Sequence, residues 1–324
     1  MTLDVIQPGL ATSIQDEGRA GHYSLGFPEG GAMDRESARL GNALVGNPAD
    51  CAVLECTYVG PVLVATTGAT IAVTGAPADV RVNGELREQW TRIELEPGDE
   101  LSFGMIRGGT RYYVAVRGGI DVPRALGSRS TYAIGSIGGV GGRALRAGDR
   151  LPVGSPTAPL PRGSSIHESA RPLFAKEQEI RVMLGLYHHL LTAEGARRLV
   201  EEEWILTPTA DRMGLRYDGP GVGWRDRPQP FGAGQDPSNI VDAGYAVGSI
   251  QIPGGTQPIV LHRDAVSGGG YATVGTVITA DMDVLARAAP GTLTRFLPVT
   301  MEQALGERRA RRDRLQEVVR SLMD

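Results

Sequence analysis

The sequence predicts a mostly β protein: two β-rich lobes, a few short helices and a C-terminal helix. Three observations carry this. From Ala52 to Val153, short apolar segments alternate with turn signals and no helical periodicity intervenes. The chain holds 45 glycines and 21 prolines, so its connections are many and its strands short. A Pro/Ser-rich stretch with little apolar content, 156–175, divides two such regions. A length of 324 residues carries a prior of roughly two domains. The expected division is a first lobe over 1–155, the linker, a second lobe over 176–299 and a helix over 300–324.

In chain order, Leu3 to Ile6 reads as a strand stopped by Pro8-Gly9. Residues 11–32 read as a long, polar, glycine-rich loop holding Gln15, Asp16, Arg19, His22 and Tyr23. A solvated surface loop is the plain alternative. Met33 to Val45 is the first helix, capped by Asp34, with Met33, Ser37, Leu40 and Leu44 on one face and Gly46-Asn47-Pro48 as its stop. Strands follow at Ala52–Thr57, Val62–Ala65, Thr70–Thr74, Asp79–Val82, Thr91–Leu95, Glu100–Phe103 and Arg111–Val116. Asn83-Gly84 marks a two-residue hairpin. This spacing favours antiparallel barrels or sandwiches.

In the second half, Glu179–Leu184 reads as a strand, and a helix near Ala193–Val200 is capped by Thr192. Ile259–Leu261 and Val274–Ile278 read as buried strands flanking a loop with Asp264, Ser267, Tyr271 and three consecutive glycines, which leave the backbone free to take positive φ. Asp281 caps a short helix to Ala288, and Thr292–Val299 is a last strand. Thr300-Met301-Glu302-Gln303 is a capping box opening the C-terminal helix, with Leu315, Val318, Val319 and Leu322 as an apolar stripe.

A net charge of −4 gives no general attraction to nucleic acid or to an acidic membrane surface. No apolar run of about 20 residues spans a bilayer. Cys51 and Cys56 are not expected to form a disulfide, and no signal peptide opens the chain, so the expected location is cytoplasmic. No His/Cys set has metal spacing; His188-His189 lacks a third ligand. Neither a phosphate-binding Walker loop nor a nucleophile elbow is present.

The candidate chemistry sits in the second half. Arg212 can clamp a carboxylate or phosphate from the irregular segment Asp211-Arg212-Met213-Gly214, with Asp211 orienting it or acting as a base. A surface ion pair is the plain alternative. Gln251, flanked by Ile250 and Ile252 on a strand, points opposite to them and can hydrogen-bond an amide- or urea-like ligand.

Taken together, these residues resemble the biotin-dependent carboxyltransferase-type family, which includes KipA, the so-called allophanate hydrolase subunit 2, the C component of prokaryotic 5-oxoprolinase and the carboxyltransferase domain of urea carboxylase. The motifs are Thr12-Ser13-Ile14-Gln15-Asp16-Glu17-Gly18-Arg19, Gly31-Ala32-Met33-Asp34, Asn42-Ala43-Leu44-Val45-Gly46-Asn47, Gly127-Ser128-Arg129-Ser130-Thr131, Asp211-Arg212-Met213-Gly214, Ile250-Gln251-Ile252-Pro253 and Gly269-Gly270-Tyr271. One segment departs from the pattern: where the family usually has Asp-x-Gln-Thr-Thr-Gly-Gly-Tyr-Pro, this chain places Val266, Gly268 and Ala272 at the Gln, one Thr and the Pro.

The resemblance implies two cyclophilin-like β-barrel lobes with a ligand cleft between them. It implies a KipI-like partner, the B component of the same enzyme, and with it a large ATP-using chain. The leading expectation is a 5-oxoprolinase-type component acting on a cyclic amide, with ATP used at the level of the complex. Asp211, Arg212 and Asp264 are then the catalytic candidates, and Gln251, Tyr271, Arg19 and Asp34 the substrate-binding ones. The alternatives are a KipA-like regulator without chemistry of its own, and a carboxyltransferase moving a carboxyl group to a urea-like acceptor. Lys176, in Ala175-Lys176-Glu177, is not in a biotin-attachment context, so any biotin arrives on another chain.

Overall fold

The computed structural model describes residues 2–324. Two compact units emerge. The first comprises the residues up to Ala20, Gly30–Phe174 and Asp313–Asp324; the second comprises Gly21–Glu29 and Ala175–Arg312. The units are therefore not contiguous in sequence: a short excursion near the N-terminus groups with the second, and the last turns of the C-terminal helix with the first. Residues 156–174, expected as a linker, group with the first unit, where Ile166 is buried.

The first unit contains β1 (Thr2–Gln7), β2 (Ser13–Gln15), α1 (Arg35–Leu44), β3 (Val53–Thr57), β4 (Val62–Ala65), β5 (Ala69–Gly75), β6 (Val80–Val82), β7 (Glu85–Arg87), β8 (Arg92–Leu95), β9 (Glu100–Phe103), β10 (Arg111–Val116) and β11 (Arg150–Pro152). A six-stranded sheet runs β11-β1-β4-β9-β6-β7 and a five-stranded one β2-β3-β10-β5-β8. Their apolar faces share one core: Leu3, Leu63 and Leu101 from the first, Leu54, Ile71 and Tyr112 from the second. All six residues of β10 are buried because both faces are covered. Tyr112, Val114 and Val116 face the inter-sheet core; Tyr113 and Ala115 face Leu40 and Leu44 of α1 and Leu322.

Local signals are obeyed where they are strong. Asn83 and Gly84 have φ of 51° and 81° and join Val82 to Glu85, as a two-residue hairpin of mirror-image turn type requires. Asp34 caps α1 by accepting the Ser37 N–H at 3.1 Å. The expected loop over 11–32 is corrected at its start. Ser13–Gln15 is a buried strand paired with β3, and its polar groups are met from far away in sequence: Gln15 Nε2 donates to Thr131 O at 3.2 Å.

The second unit contains β12 (Glu177–Leu184), α2 (Ala193–Glu201), β13 (Trp204–Ala210), β14 (Gly214–Asp218), β15 (Asn239–Gly244), β16 (Ser249–Gln251), β17 (Ile259–Leu261), β18 (Gly268–Tyr271), β19 (Thr273–Val277), α3 (Met282–Arg287), β20 (Leu293–Pro298) and α4 (Met301–Met323), the end of α4 grouping with the first unit. Seven strands close a barrel in the order β12-β19-β16-β17-β14-β13-β20, sealed by the parallel pair β12–β20. Trp204, Tyr217, Ile250, Ile252, Val260, Val274 and Phe296 fill it. β15 and β18 form a separate two-stranded ribbon.

Thr192 caps α2, and the Thr300–Gln303 box is complete: Thr300 N–H donates to Gln303 Oε1 at 2.8 Å and Gln303 N–H to Thr300 Oγ1 at 3.2 Å. The expected cap by Asp281 does not form. Its carboxylate instead accepts from Arg181 N–H (2.8 Å), Nε (3.0 Å) and Nη2 (2.6 Å), because a guanidinium outcompetes a helix N-terminus for a buried carboxylate. Among the described residues, no helix is long and apolar enough to cross a membrane.

Candidate functional site

Gln251 ends β16 opposite Ile259 of β17 and Thr273 of β19, and the register with β19 shifts between Ile250 and Gln251. Ile250 and Ile252 are fully buried in the barrel core. Period-two alternation sends Gln251 to the other side, yet it is only 5% exposed. Its Nε2 is buried without a hydrogen-bond partner. A buried amide N–H without a well-formed hydrogen bond costs on the order of 1–3 kcal/mol.

Next to Gln251 stands Tyr245, at the end of the ribbon. Tyr245, just after β15, accepts the Tyr271 N–H at 2.7 Å and donates its hydroxyl to Tyr271 O at 3.0 Å. Burial is the main influence on this phenol and raises its pKa; the Tyr271 backbone and the neighbouring Gln251 side chain act in the opposite direction. Gln251 thus lies beside the hydroxyl, near enough for its side chain to act on the phenol as a hydrogen-bond partner, although its Nε2 meets no acceptor in well-formed geometry.

The glycine run is also explained here, with a correction. Gly268–Tyr271 is strand β18 rather than a flexible loop, and none of its glycines takes positive φ. They are small because space is short. A Cβ on Gly269 would lie 3.1–3.2 Å from the Tyr245 ring and hydroxyl, one on Gly268 3.1 Å from Ala243 O, and one on Gly270 3.2 Å from Ile240 O.

The Arg212–Asp264 pair stands elsewhere on the same sheet. Arg212 Nε donates to Asp264 Oδ2 at 2.8 Å and Nη2 to Oδ1 at 2.9 Å, a bidentate geometry, and Asp264 N–H donates to Arg212 O at 2.9 Å. Both side chains are shielded, at 19% and 8% exposure. Gln251 faces the first residue of β17, whereas this pair lies past its last. Tyr245 packs with Leu261 and Ala265, so its ring connects the two places.

Asp211 serves the backbone of its own turn. It is exposed, and its Oδ1 accepts the N–H groups of Met213 (2.8 Å) and Gly214 (3.2 Å), closing the β13–β14 turn. Arg19 and Asp34 belong to the interior of the first unit. Arg19 is 1% exposed and donates to Ser130 O at 2.5 Å. Asp34 caps α1, while its N–H donates to the Tyr113 hydroxyl at 2.8 Å, which in turn donates to Glu55 at 3.0 Å.

Beside the ribbon opens a cavity of about 330 Å3 lined by Tyr187, His189, Leu190, Arg227, Ile240 and Asp242 among others. On its wall, Tyr187 N–H donates to Thr273 O at 3.1 Å, and Thr273 pairs with Gln251 across β19 and β16. Arg227 is anchored there by Nη2 to Asn239 O at 2.6 Å. Tyr245 and Arg227 are functional candidates that the sequence reading missed. The signal for Tyr245 was a lone aromatic ending one strand segment with a glycine run nearby, a pairing in which the ring fills the space the glycines leave.

Comparison with known proteins shows which family the chain belongs to. A family model described as carboxyltransferase domain, subdomain A and B, matches residues 25–298. The urea amidolyase of Lachancea kluyveri is 34% identical over 314 residues, covering 93% of this chain and 17% of that protein. The C component of 5-oxoprolinase from Escherichia coli is 33% identical over 306 residues, covering 94% of each. The crystal structure of the K. lactis urea amidolyase superposes with a TM-score of 0.92 at 33% identity, over 98% of this chain and 20% of that one. The chain thus spans a fifth or less of the length of these urea amidolyases.

Proposed function

The chain belongs to the carboxyltransferase domain family of subdomains A and B, and from that premise we propose that it acts as the C component of a 5-oxoprolinase. In this reading it works with a KipI-like B component and a large ATP-using chain to open the cyclic amide of 5-oxoproline to glutamate. The relative in Escherichia coli that carries this name supports it. The observation that carries it is the buried Gln251 Nε2, a donor beside the Tyr245 hydroxyl that makes no well-formed hydrogen bond among the described residues, set to meet the carbonyl oxygen of a small amide.

Around it the chemistry is of binding and polarisation. Tyr271 lines the ribbon, and the cavity with Arg227 and His189 offers room for a small carboxylate-bearing ring. Arg212 and Asp264, bonded to each other twice, form a fixed charge pair past the last residue of β17. These side chains hold a substrate and favour charge developing on its carbonyl oxygen. The ATP-dependent step is assigned to the partner, and no resident metal or biotin is assigned to this chain. A cytoplasmic location is part of the same proposal.

A second reading is carboxyl transfer to a urea-like acceptor from biotin carried on another chain, supported by the match to urea amidolyase. In this reading the biotin arrives on another chain, since Lys176 stands in Ala175-Lys176-Glu177 rather than in a biotin-attachment context. The experiment that separates the two is reconstitution with the neighbouring-gene partners. ATP- and 5-oxoproline-dependent glutamate release supports the first. Its absence, with a co-purifying biotinylated chain detected by avidin, supports the second. Tight partner binding with neither activity leaves the KipA-like regulatory role.

A further inference from the structure

We propose that Tyr245 is the positioning residue of this site: its hydroxyl latches strand β18 over the Gln251 amide. The inference rests on the role given to Gln251 above. One phenol oxygen satisfies both backbone groups of Tyr271, accepting its N–H at 2.7 Å and donating to its carbonyl at 3.0 Å. Gln251 flanks the same oxygen, its Nε2 without a well-formed hydrogen bond among the described residues. The ring is held from below by Leu261 and Ala265, and Gly269 leaves it the space to approach.

The reason a latch is needed lies in the ribbon itself. β15 and β18 pair only with each other, outside the barrel, and their register shifts between Asn239 and Ala243. A two-stranded ribbon is marginal on its own, and three glycines add backbone freedom without side-chain contacts. Tyr245 ties it down through a ring packed on the barrel and an oxygen bonded to the strand. Tyr245 does not touch substrate in this scheme. It fixes the height of Tyr271 over Gln251, and so the space in which the amide N–H is offered.

Tyr245→Phe removes the oxygen and keeps the ring. In the full chain, hydrogen exchange at the Tyr271 amide is expected to rise roughly tenfold, with the barrel strands β12 and β20 unchanged. The Gln251 side-chain amide resonance, followed by NMR in the same sample, is expected to shift. An unchanged Tyr271 exchange rate or an unchanged Gln251 resonance overturns the proposal. In the reconstituted complex, KM for 5-oxoproline is expected to rise several-fold more than kcat falls. If Gln251→Met lowers turnover but Tyr245→Phe changes neither constant, the positioning role is overturned and the functional reading stands. If both variants turn over normally, the reading of Gln251 fails as well.

Discussion

Arg212 and Asp264 are joined by two parallel hydrogen bonds, Nε to Oδ2 at 2.8 Å and Nη2 to Oδ1 at 2.9 Å, across the loops that follow β13 and β17. A planar fork matched to a carboxylate fixes both loops at once, which a lysine in the same place does not do. Arg212→Ala leaves a carboxylate at 6% exposure without its partner. We expect a loss of about 1–3 kcal/mol in chemical denaturation, with Arg212→Lys recovering only part of it. Asp211→Ala is expected to cost less, since Asp211 is exposed and serves a turn.

The glycine-rich segment 138–142 supplies a paired test of backbone demand. Gly142 has φ of 68°, and a Cβ there would fall 2.0 Å from the Ser136 carbonyl carbon. Gly141 has φ of 62° with nothing within 4 Å of its Cβ position. Gly142→Ala is expected to destabilise by roughly 2 kcal/mol or more, and Gly141→Ala by about 1 kcal/mol, the left-handed penalty alone. Equal melting temperatures for the two variants would remove the steric explanation.

Burial pushes the Cys56 thiol up to about 12. In the unfolded chain it ionises near the ordinary thiol value. Between those two pH values the unfolded state binds fewer protons than the folded state, so stability falls as pH rises, by up to about 1.4 kcal/mol per unit from this group. The buried hydroxyls of Tyr112, Tyr113 and Tyr217, all raised by burial, act in the same direction at higher pH. We expect stability in denaturant titrations to fall steadily above pH 9 and Cys56→Ala to flatten the first part of that fall. Iodoacetamide at pH 8 is expected to label Cys56 only on unfolding.

What could be read from the sequence was what is decided locally. Asn83-Gly84, the Asp34 and Thr192 caps and the Thr300–Gln303 box each fix their own few residues. The mostly β architecture followed from strand and turn spacing. The misreadings share a different cause. Ser13–Gln15 looks like polar loop because its burial depends on Thr131 and, for the adjacent Asp16, on the Ser128 and Ser130 hydroxyls, more than a hundred residues away. Asp281 abandons its cap for Arg181, again about a hundred residues distant. Gly268–Gly270 has no side-chain alternation to reveal a strand; only pairing with β15 makes it one.

The direction of Gln251 on its strand was legible because flanking isoleucines fix which way it points. The place of Tyr245 was not, because its hydroxyl bonds to the Tyr271 backbone form only when β15 and β18 come together. Asp211 and Arg212 are adjacent in sequence, which invited a shared role; the turn geometry gives Asp211 to the backbone and leaves Arg212 to Asp264.

The most direct measurement is glutamate released from 5-oxoproline and ATP by the chain reconstituted with its partner chains, comparing wild type with Gln251→Met. Methionine keeps the side chain's length and removes only the amide, whose Nε2 makes no well-formed hydrogen bond among the described residues. The expected result is roughly 100-fold slower turnover in the variant, the scale of one lost donor to a developing oxyanion, with an unchanged unfolding midpoint. Equal turnover by wild type and Gln251→Met would contradict the assignment of the substrate amide to this residue.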